Sequence, residues 1–329
     1  MTMLRAASGL CLAAFLLFGA SAVARAQSSG NEVARAKQLY GDGKFKESLA
    51  LLNAYLSAHP ADATALVARG DDYQALGNQE AAIGDYSAAL AINAQYAYAW
   101  ASRCDSYDSI DQAARARSDC DKAIELDPKM AYAYRVRARV ELGQDDAQAA
   151  LADANRALAL QPNSPNAFAT RCHTNIVLQK YSDALHDCDQ ALAIDPSNDV
   201  AYFYRGETEI KLQSWDKAIA DLEKDRELDP QEANAYYWLA LAFMGKGSYG
   251  DALKAIDGYI QSDADDADAH LIRAAIEAKL GNSTEARLSA TNALKHYMID
   301  NDQSGATRAQ ALLNGLNGAT PASSPPPHI

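Results

Sequence analysis

The sequence predicts an all-α solenoid built from stacked helix hairpins. The same residue skeleton returns every 34 positions from Ser29 to Asp300, with no insertion or deletion. Within each copy, apolar residues fall at helical spacing on two stretches. A Gly or polar break separates the stretches, as at Gly43, Gly77, Gly247 and Gly281. A fixed period of this length marks repeated supersecondary units, none of which can bury its apolar face alone, so neighbours must stack.

The eight copies begin at Ser29, Ala63, Ala97, Ala131, Pro165, Asp199, Ala233 and Ala267. Their fourth position is mostly large, as Leu66, Trp100, Tyr134, Phe168, Tyr202 and Tyr236 show, and the three tyrosines here are expected in the core. The twentieth is Ser48 in the first copy and Ala in the other seven, from Ala82 and Ala116 to Ala286. An Ala there lets two backbones approach where a longer side chain would hold them apart. The thirty-second is Pro in five copies (Pro60, Pro128, Pro162, Pro196, Pro230), which cannot continue a second helix and turns its predecessor away from helical dihedrals. In Pro165 to Asn198 the whole skeleton is visible at once, from Phe168, Arg171 and Cys172 through Tyr181 and Ala184 to Cys188, Ala191 and Pro196. This pattern resembles the tetratricopeptide repeat family over about 270 of the 329 residues. The resemblance implies a right-handed α-solenoid of eight helix-turn-helix repeats, with boundaries at 29–62, 63–96, 97–130, 131–164, 165–198, 199–232, 233–266 and 267–300.

Taken in order, the chain opens on a different composition. Arg5 precedes the apolar run Leu10 to Phe18, and Ala24-Arg25-Ala26 places small residues where a signal peptidase cuts. Residues 1–26 are expected to be a signal peptide, too short to span a membrane with these flanks. Its removal takes away Arg5 and Arg25 and no acid, moving the formal charge from −13 to −15. Such a charge should repel nucleic acid and anionic membrane surface, and otherwise serves solubility. The expected location is the periplasm, with secretion as the alternative.

Four cysteines follow the leader. Cys104 and Cys120 are eighth and twenty-fourth in the third copy; Cys172 and Cys188 hold the same positions in the fifth. In a hairpin turning near position fifteen these positions face each other, so disulfides Cys104–Cys120 and Cys172–Cys188 are expected, with free thiols as small core residues the alternative. His173 and His186 flank the second pair from different helices, directions that cannot converge on a metal. No metal or cofactor is expected.

Arg at position seven recurs with Asp at twenty-three, giving Arg69/Asp85, Arg103/Asp119, Arg137/Asp153, Arg171/Asp187 and Arg205/Asp221. The seventh copy loses both together, as Leu239 and Ala255. Structural ion pairs across or between hairpins are expected, of the exposed kind contributing about 0–1 kcal/mol each. The acidic run Asp263, Asp265, Asp266, Asp268 lacks the Gly and distal Glu of a calcium loop and reads as solvated charge.

The family resemblance also implies a concave groove lined by the first helix of each repeat. Carried over position by position, it names Asp71, Tyr98, Asp105 and Asp108, then Tyr132, Arg135 and Arg139, then Asn166 and His173, then Phe203, Glu207, Asn234 and Tyr237, with Tyr204 and Trp238 on the margin. Acid, base and then aromatics suit an extended peptide, and Tyr, Trp and Arg are the types that most often carry interface energy. One subclass of the family clamps C-terminal carboxylates with a Lys/Asn set; here those positions hold Val67, Ala101, Ser102 and Asp105, so that function does not carry over. Gln303 to Leu316 is expected to form a capping helix within 301–318, with Arg308 and Gln310 facing out, and 319–329 a disordered Pro/Ser-rich tail. No nucleophile–base pair, phosphate loop or metal cluster stands out. The chain therefore reads as an exported, non-catalytic scaffold for protein or peptide segments, without membrane insertion after leader cleavage. The alternative is a module handling glycan or envelope polymer.

Overall fold

A computed structural model describes residues 32–230 and 233–318; the expected leader and C-terminal tail lie outside them. The described residues hold seventeen helices and no strand. They divide after Pro162 into two compact units. The first contains α1 (32–41), α2 (Phe45–Ala58), α3 (Ala63–Ala75), α4 (Gln79–Ile92), α5 (Ala97–Asp108), α6 (Ala113–Leu126), α7 (Ala131–Leu142) and α8 (Ala147–Leu160). The second contains α9 (Pro165–Val177), α10 (Tyr181–Ile194), α11 (Asp199–Lys211), α12 (Trp215–Leu228), α13 (Asn234–Lys246), α14 (Tyr249–Ser262), α15 (Ala267–Leu280), α16 (Ser283–Ile299) and α17 (Gln303–Gly318). Odd and even helices pair as hairpins, and within each unit a hairpin packs on the next, the arrangement of an α-solenoid. First helices also adjoin first helices: α3, α5 and α7 in one unit, α9, α11 and α13 in the other.

Every turn inside a hairpin is closed the same way. Its fifteenth residue is left-handed: Gly43, Gly77, Gly247 and Gly281, but also Asp111, Asp145, Gln179 and Gln213, with φ between 57° and 84°. The next amide reaches back to the carbonyl five residues earlier, as Asn78 to Tyr73 (2.8 Å) and Ser214 to Glu209 (2.8 Å) do, ending the first helix in a Schellman motif. Half of the turns thus place a residue bearing a Cβ where glycine fits without strain.

Beyond the turn, the two helices touch at positions eight and twenty-four. The pairs are Ala36/Leu52, Gly70/Tyr86, Ala138/Ala154, Gly206/Leu222, Ala240/Ile256 and Ala274/Ala290, and all are buried. A Cβ on Gly206 would lie 2.7 Å from Leu222 Cγ, and one on Gly70 2.6 Å from the Tyr86 ring. In the two remaining hairpins the pair is a disulfide, Cys104–Cys120 and Cys172–Cys188, with Cα atoms 5.4 and 5.6 Å apart. The alanines at position twenty are fully buried, and Ser48, their counterpart, donates to the Ala36 carbonyl across the hairpin at 3.0 Å.

The Arg/Asp pairs correct the sequence reading in one respect: their carboxylates are buried. Each Arg grips its own hairpin's Asp through Nε and Nη2, as in Arg103–Asp119 (2.6 and 3.0 Å) and Arg205–Asp221 (2.7 and 2.7 Å). Nη1 then bonds position twenty-five of the hairpin before it: Asn53 for Arg69, Ser87 for Arg103, Asp121 for Arg137, Asp189 for Arg205. The fourth-position aromatic lies against the same guanidinium, Trp100 with its centroid 4.8 Å from Arg103. Tyr134, Tyr202 and Tyr236 are accordingly half-buried beside arginines rather than sunk in the core. Removing one Arg would leave a buried carboxylate unpaired, a loss nearer the several kcal/mol of buried pairs than the fraction typical of surface ones.

At the C-terminal end α17 packs on α16 and α15 with Ala306 and Ala309 buried against Tyr297. Arg308 faces water as expected, and from there its Nη2 donates to Asp268 (3.1 Å) while its guanidinium lies over Tyr297. The acidic run is likewise employed. Asp266 caps α15 by accepting from the Ala269 amide and takes the Tyr259 hydroxyl, and Asp268 accepts from Tyr297.

Replacing Gln179 or Gln213 with Gly is expected to stabilise the chain by about 0.5–1 kcal/mol each, read from denaturant melts; a loss in both would show that the Gln side chains hold the turns. The pair Cys104→Ala/Cys120→Ala reproduces the Ala/Ala pairing of other hairpins and should still fold. It is expected to lose about 3 kcal/mol, and reducing agent should then shift the melt of this variant less than that of the natural chain.

Candidate functional site

In the first unit the ninth residues of α3, α5 and α7 are Asp71, Asp105 and Arg139, and one network of polar side chains joins them. Tyr86 Oη lies 2.8 Å from Asp71 Oδ1 and 3.2 Å from Gln74 Oε1. Gln74 Nε2 donates to Asp105 Oδ2 (3.1 Å), which also accepts the Tyr132 hydroxyl (2.8 Å). Arg139 closes the series through Nη1 to Asp105 Oδ1 (2.9 Å) and Nη2 to Asp108 Oδ2 (2.6 Å). Burial alone would push the Asp105 carboxyl up, but the Arg139 and Arg135 guanidiniums outweigh it and hold it below its ordinary value. For Asp108 burial prevails over Arg139 and the carboxyl is raised.

The three acids and Arg139 that the sequence assigns to a groove are therefore largely occupied with one another. Arg135 differs. Its guanidinium lies over the Tyr132 ring, 5.1 Å from the centroid, and no acidic side chain among the described residues is within salt-bridge reach. Tyr98 packs beside Tyr132 at 5.8 Å and remains 38% exposed.

Two carboxyls at the other edge of this network are strained by burial. Asp71 is pushed up to about 7 by desolvation, against the opposing pull of the Tyr86 hydroxyl and Lys37. Its neighbour Asp72 is fully buried, and the Ser48 hydroxyl that eases its charge is bonded to the Ala36 carbonyl, leaving both Asp72 oxygens without a hydrogen bond of good geometry. Desolvation pushes Asp72 up to about 6. Position ten is Thr in the fifth and sixth copies, where Thr174 and Thr208 satisfy themselves on the carbonyl four residues back (2.8 and 2.7 Å).

The second unit gathers aromatics. His173 stacks on Tyr204 at 4.4 Å and 10°, and Phe203 meets Tyr204 edge-on at 5.4 Å. Tyr237 stands edge-on to Trp238 (6.0 Å) and Tyr259 (5.4 Å), and Lys211 Nζ lies 5.3 Å from the Trp238 ring. Tyr204 thus touches both His173 and Phe203, and Tyr237 both Trp238 and Tyr259. Burial raises the Glu207 carboxyl despite Lys211 nearby. Asn166 accepts from Asn198 (2.9 Å), and Asn234 lines a cavity of about 180 Å³ with Phe203 and Tyr204. His186 is exposed on α10.

Sequence profiles of the tetratricopeptide repeat match residues 33–97, 105–165 and 210–276, more than half of the chain. This chain is a tetratricopeptide repeat protein. Among solved structures it is similar to the APC/C hetero-tetramer Cut9–Hcn1, with a TM-score of 0.74 and 15% identity over 87% of this chain and 55% of that one. PilW, a type IV pilus biogenesis factor, gives 0.57 and 22% identity over 65% of this chain and 98% of that one. PilF of Pseudomonas aeruginosa gives 0.54 and 16% over 65% and 96%. At these identities the likeness is one of fold. The chain has no match among curated proteins. Membership of the family supports a scaffold for protein–protein interaction.

The carboxylate-clamp positions of this tetratricopeptide repeat protein are closed, Val67, Ala101 and Ser102 being buried and Asp105 bonded to Arg139. No described helix is long and apolar enough to cross a membrane. Sequence reasoning passed over Lys37 and Tyr40, which with Tyr96 share a cavity with Asp71 and Tyr98. The same rule applied to the first copy finds both, at positions nine and twelve; Tyr96, last in its copy, carries no such signal.

Asp71 and Asp72 keep their protons in the folded chain to a higher pH than the ordinary 3.8, so folding takes up protons in that window. Their contribution to stability is full below about pH 4 and is lost as pH rises through 6 and 7. Asp72→Thr is expected to raise stability at pH 8 by about 2–3 kcal/mol and to leave it nearly unchanged at pH 4. Thermal melts at both values check this, and a variant destabilised at pH 8 would mean that Asp72 holds a partner.

Proposed function

We propose that the chain is an exported, non-catalytic adaptor, periplasmic rather than secreted, whose first-helix face docks extended protein segments. The observation that carries this is a division of labour among its arginines. Arg69, Arg103, Arg137 and Arg205 bind hairpin to hairpin, and Arg139 is neutralised by Asp105 and Asp108. Arg135, stacked on Tyr132 beside Tyr98, makes no direct salt bridge among the described residues and acts on Asp105 only through its charge. A guanidinium pre-positioned on an aromatic face, next to a half-exposed tyrosine, is the type of group that anchors a partner. Two disulfides, one in each unit, support export, since such bonds persist in oxidising compartments.

The aromatic clusters around Tyr204 and Tyr237 favour one other reading, in which that half of the face stacks on sugar rings during envelope polymer assembly. A photo-crosslinking residue placed at Arg135 or Tyr237 in cells separates the two. The adaptor reading expects one dominant protein adduct. Glycan adducts, or no protein adduct from either site, would overturn it in favour of the alternative.

A further inference from the structure

Beside the network of the first unit lies a cavity of about 400 Å³ that the docking face has not yet explained. Its volume falls in the range of about 300–1,000 Å³ usual for ligand sites. Three tyrosines, Tyr40 from α1, Tyr98 from α5 and Tyr96 just before it, share the wall with the Asp71 carboxyl. Tyr40 and Tyr98 remain 41% and 38% exposed, so aromatic surface is offered to solvent rather than spent in the core.

We propose that this cavity receives a cationic side chain, the guanidinium of Arg or the ammonium of Lys, from the segment that docks on the chain. The proposal deepens the adaptor reading and rests on it. Aromatic faces attract a desolvated cation through their quadrupole, and a carboxylate within the same enclosure supplies the counter-charge. The charge around the cavity has the matching sign. Asp71 is the carboxyl on the wall, and after burial its charge, with those of Asp72 and Asp105 behind it, acts to raise the Tyr40 hydroxyl above its ordinary value. The cation already on the wall, Lys37, is exposed, and burial raises the Asp71 carboxyl to about 7 against its pull. A guest cation completes the pairing. Around Asp71 the facing groups are Lys37 and Tyr40 of α1, Asp72 of α3, Tyr86 of α4 and Tyr98 of α5, so Lys37 is the resident competitor.

The test is an NMR titration of the full chain, labelled at tyrosine, with the peptides acetyl-Gly-Arg-Gly-amide and acetyl-Gly-Lys-Gly-amide. The isosteric, uncharged acetyl-Gly-citrulline-Gly-amide serves as control. Saturable shifts are expected at Tyr40, Tyr96 and Tyr98 with either cationic peptide, and about ten-fold weaker binding of citrulline. Asp71→Asn, which keeps an acceptor for Tyr86, should weaken the cationic peptides by about ten-fold and leave the citrulline peptide unchanged; Lys37→Met should tighten them by about two-fold or more. Equal binding of arginine and citrulline peptides would overturn the proposal. So would shifts confined to Tyr132 and Tyr237, which would leave the docking face standing without this pocket. Absence of any saturable shift removes the pocket as well, and the crosslinking result then decides the face independently.

Discussion

Two helices of a hairpin can come close only where one side chain gives way to the other, and most of this architecture follows from how that demand is met at positions eight and twenty-four. Glycine yields to Tyr86 or Leu222, alanine accepts Leu52 or Ile256, and two cysteines shorten the distance by bonding outright. At every one of these contacts at least one partner is Gly, Ala or a bonded cysteine, so the hairpin geometry repeats while the sequence at the contact varies. The alanines at position twenty extend the close approach by about one turn, and the left-handed residue at fifteen returns the chain at the angle the contact needs.

With hairpin geometry fixed, stacking becomes the remaining problem, and the Arg at position seven addresses it. One side chain uses its fork on the carboxylate of its own hairpin and its remaining nitrogen on the hairpin before it. A planar guanidinium can bond in both directions at once, which a lysine ammonium cannot reproduce with the same geometry. The register between neighbouring hairpins is thus held by directional bonds as well as by apolar burial. Because these arginines are committed, the ones left on the first-helix face stand out as having other duties.

The fold was legible in the sequence because a strict 34-residue period repeats every structural constraint several times. Ala at position twenty and Arg with Asp at seven and twenty-three are each visible without coordinates. The disulfides were legible for the same reason, since two cysteine pairs at identical positions betray a face-to-face contact. What escaped was pairing that no repeat advertises. Arg139 and Asp105 are 34 residues apart and look like two independent groove residues, yet they neutralise each other. The burial of the ladder carboxylates was missed because exposure belongs to the stack of neighbours and is not written in one hairpin. Position twenty-five was readable in principle: Asn53, Ser87, Asp121, Asp189 and Asp257 all offer an acceptor there, but no single residue type recurs to draw notice. Arg273, whose partners are Asp257 and Ser289 rather than an Asp at twenty-three, shows how loosely that acceptor is specified.

Each disulfide joins the two helices of one hairpin and crosses no boundary between hairpins. Under tension this has a mechanical meaning. A solenoid pulled from its ends can open between hairpins and then pay out the contour length stored in each. The clipped hairpins α5–α6 and α9–α10 withhold the segment between their cysteines, a separation of 16 residues apiece. At about 3.3–3.6 Å per extended residue, that is roughly 50–60 Å of length kept in reserve by each bond. In the oxidised chain, load would therefore be released hairpin by hairpin around two segments that stay short, so the thiol oxidation state sets how far the protein can be stretched before it is fully unravelled.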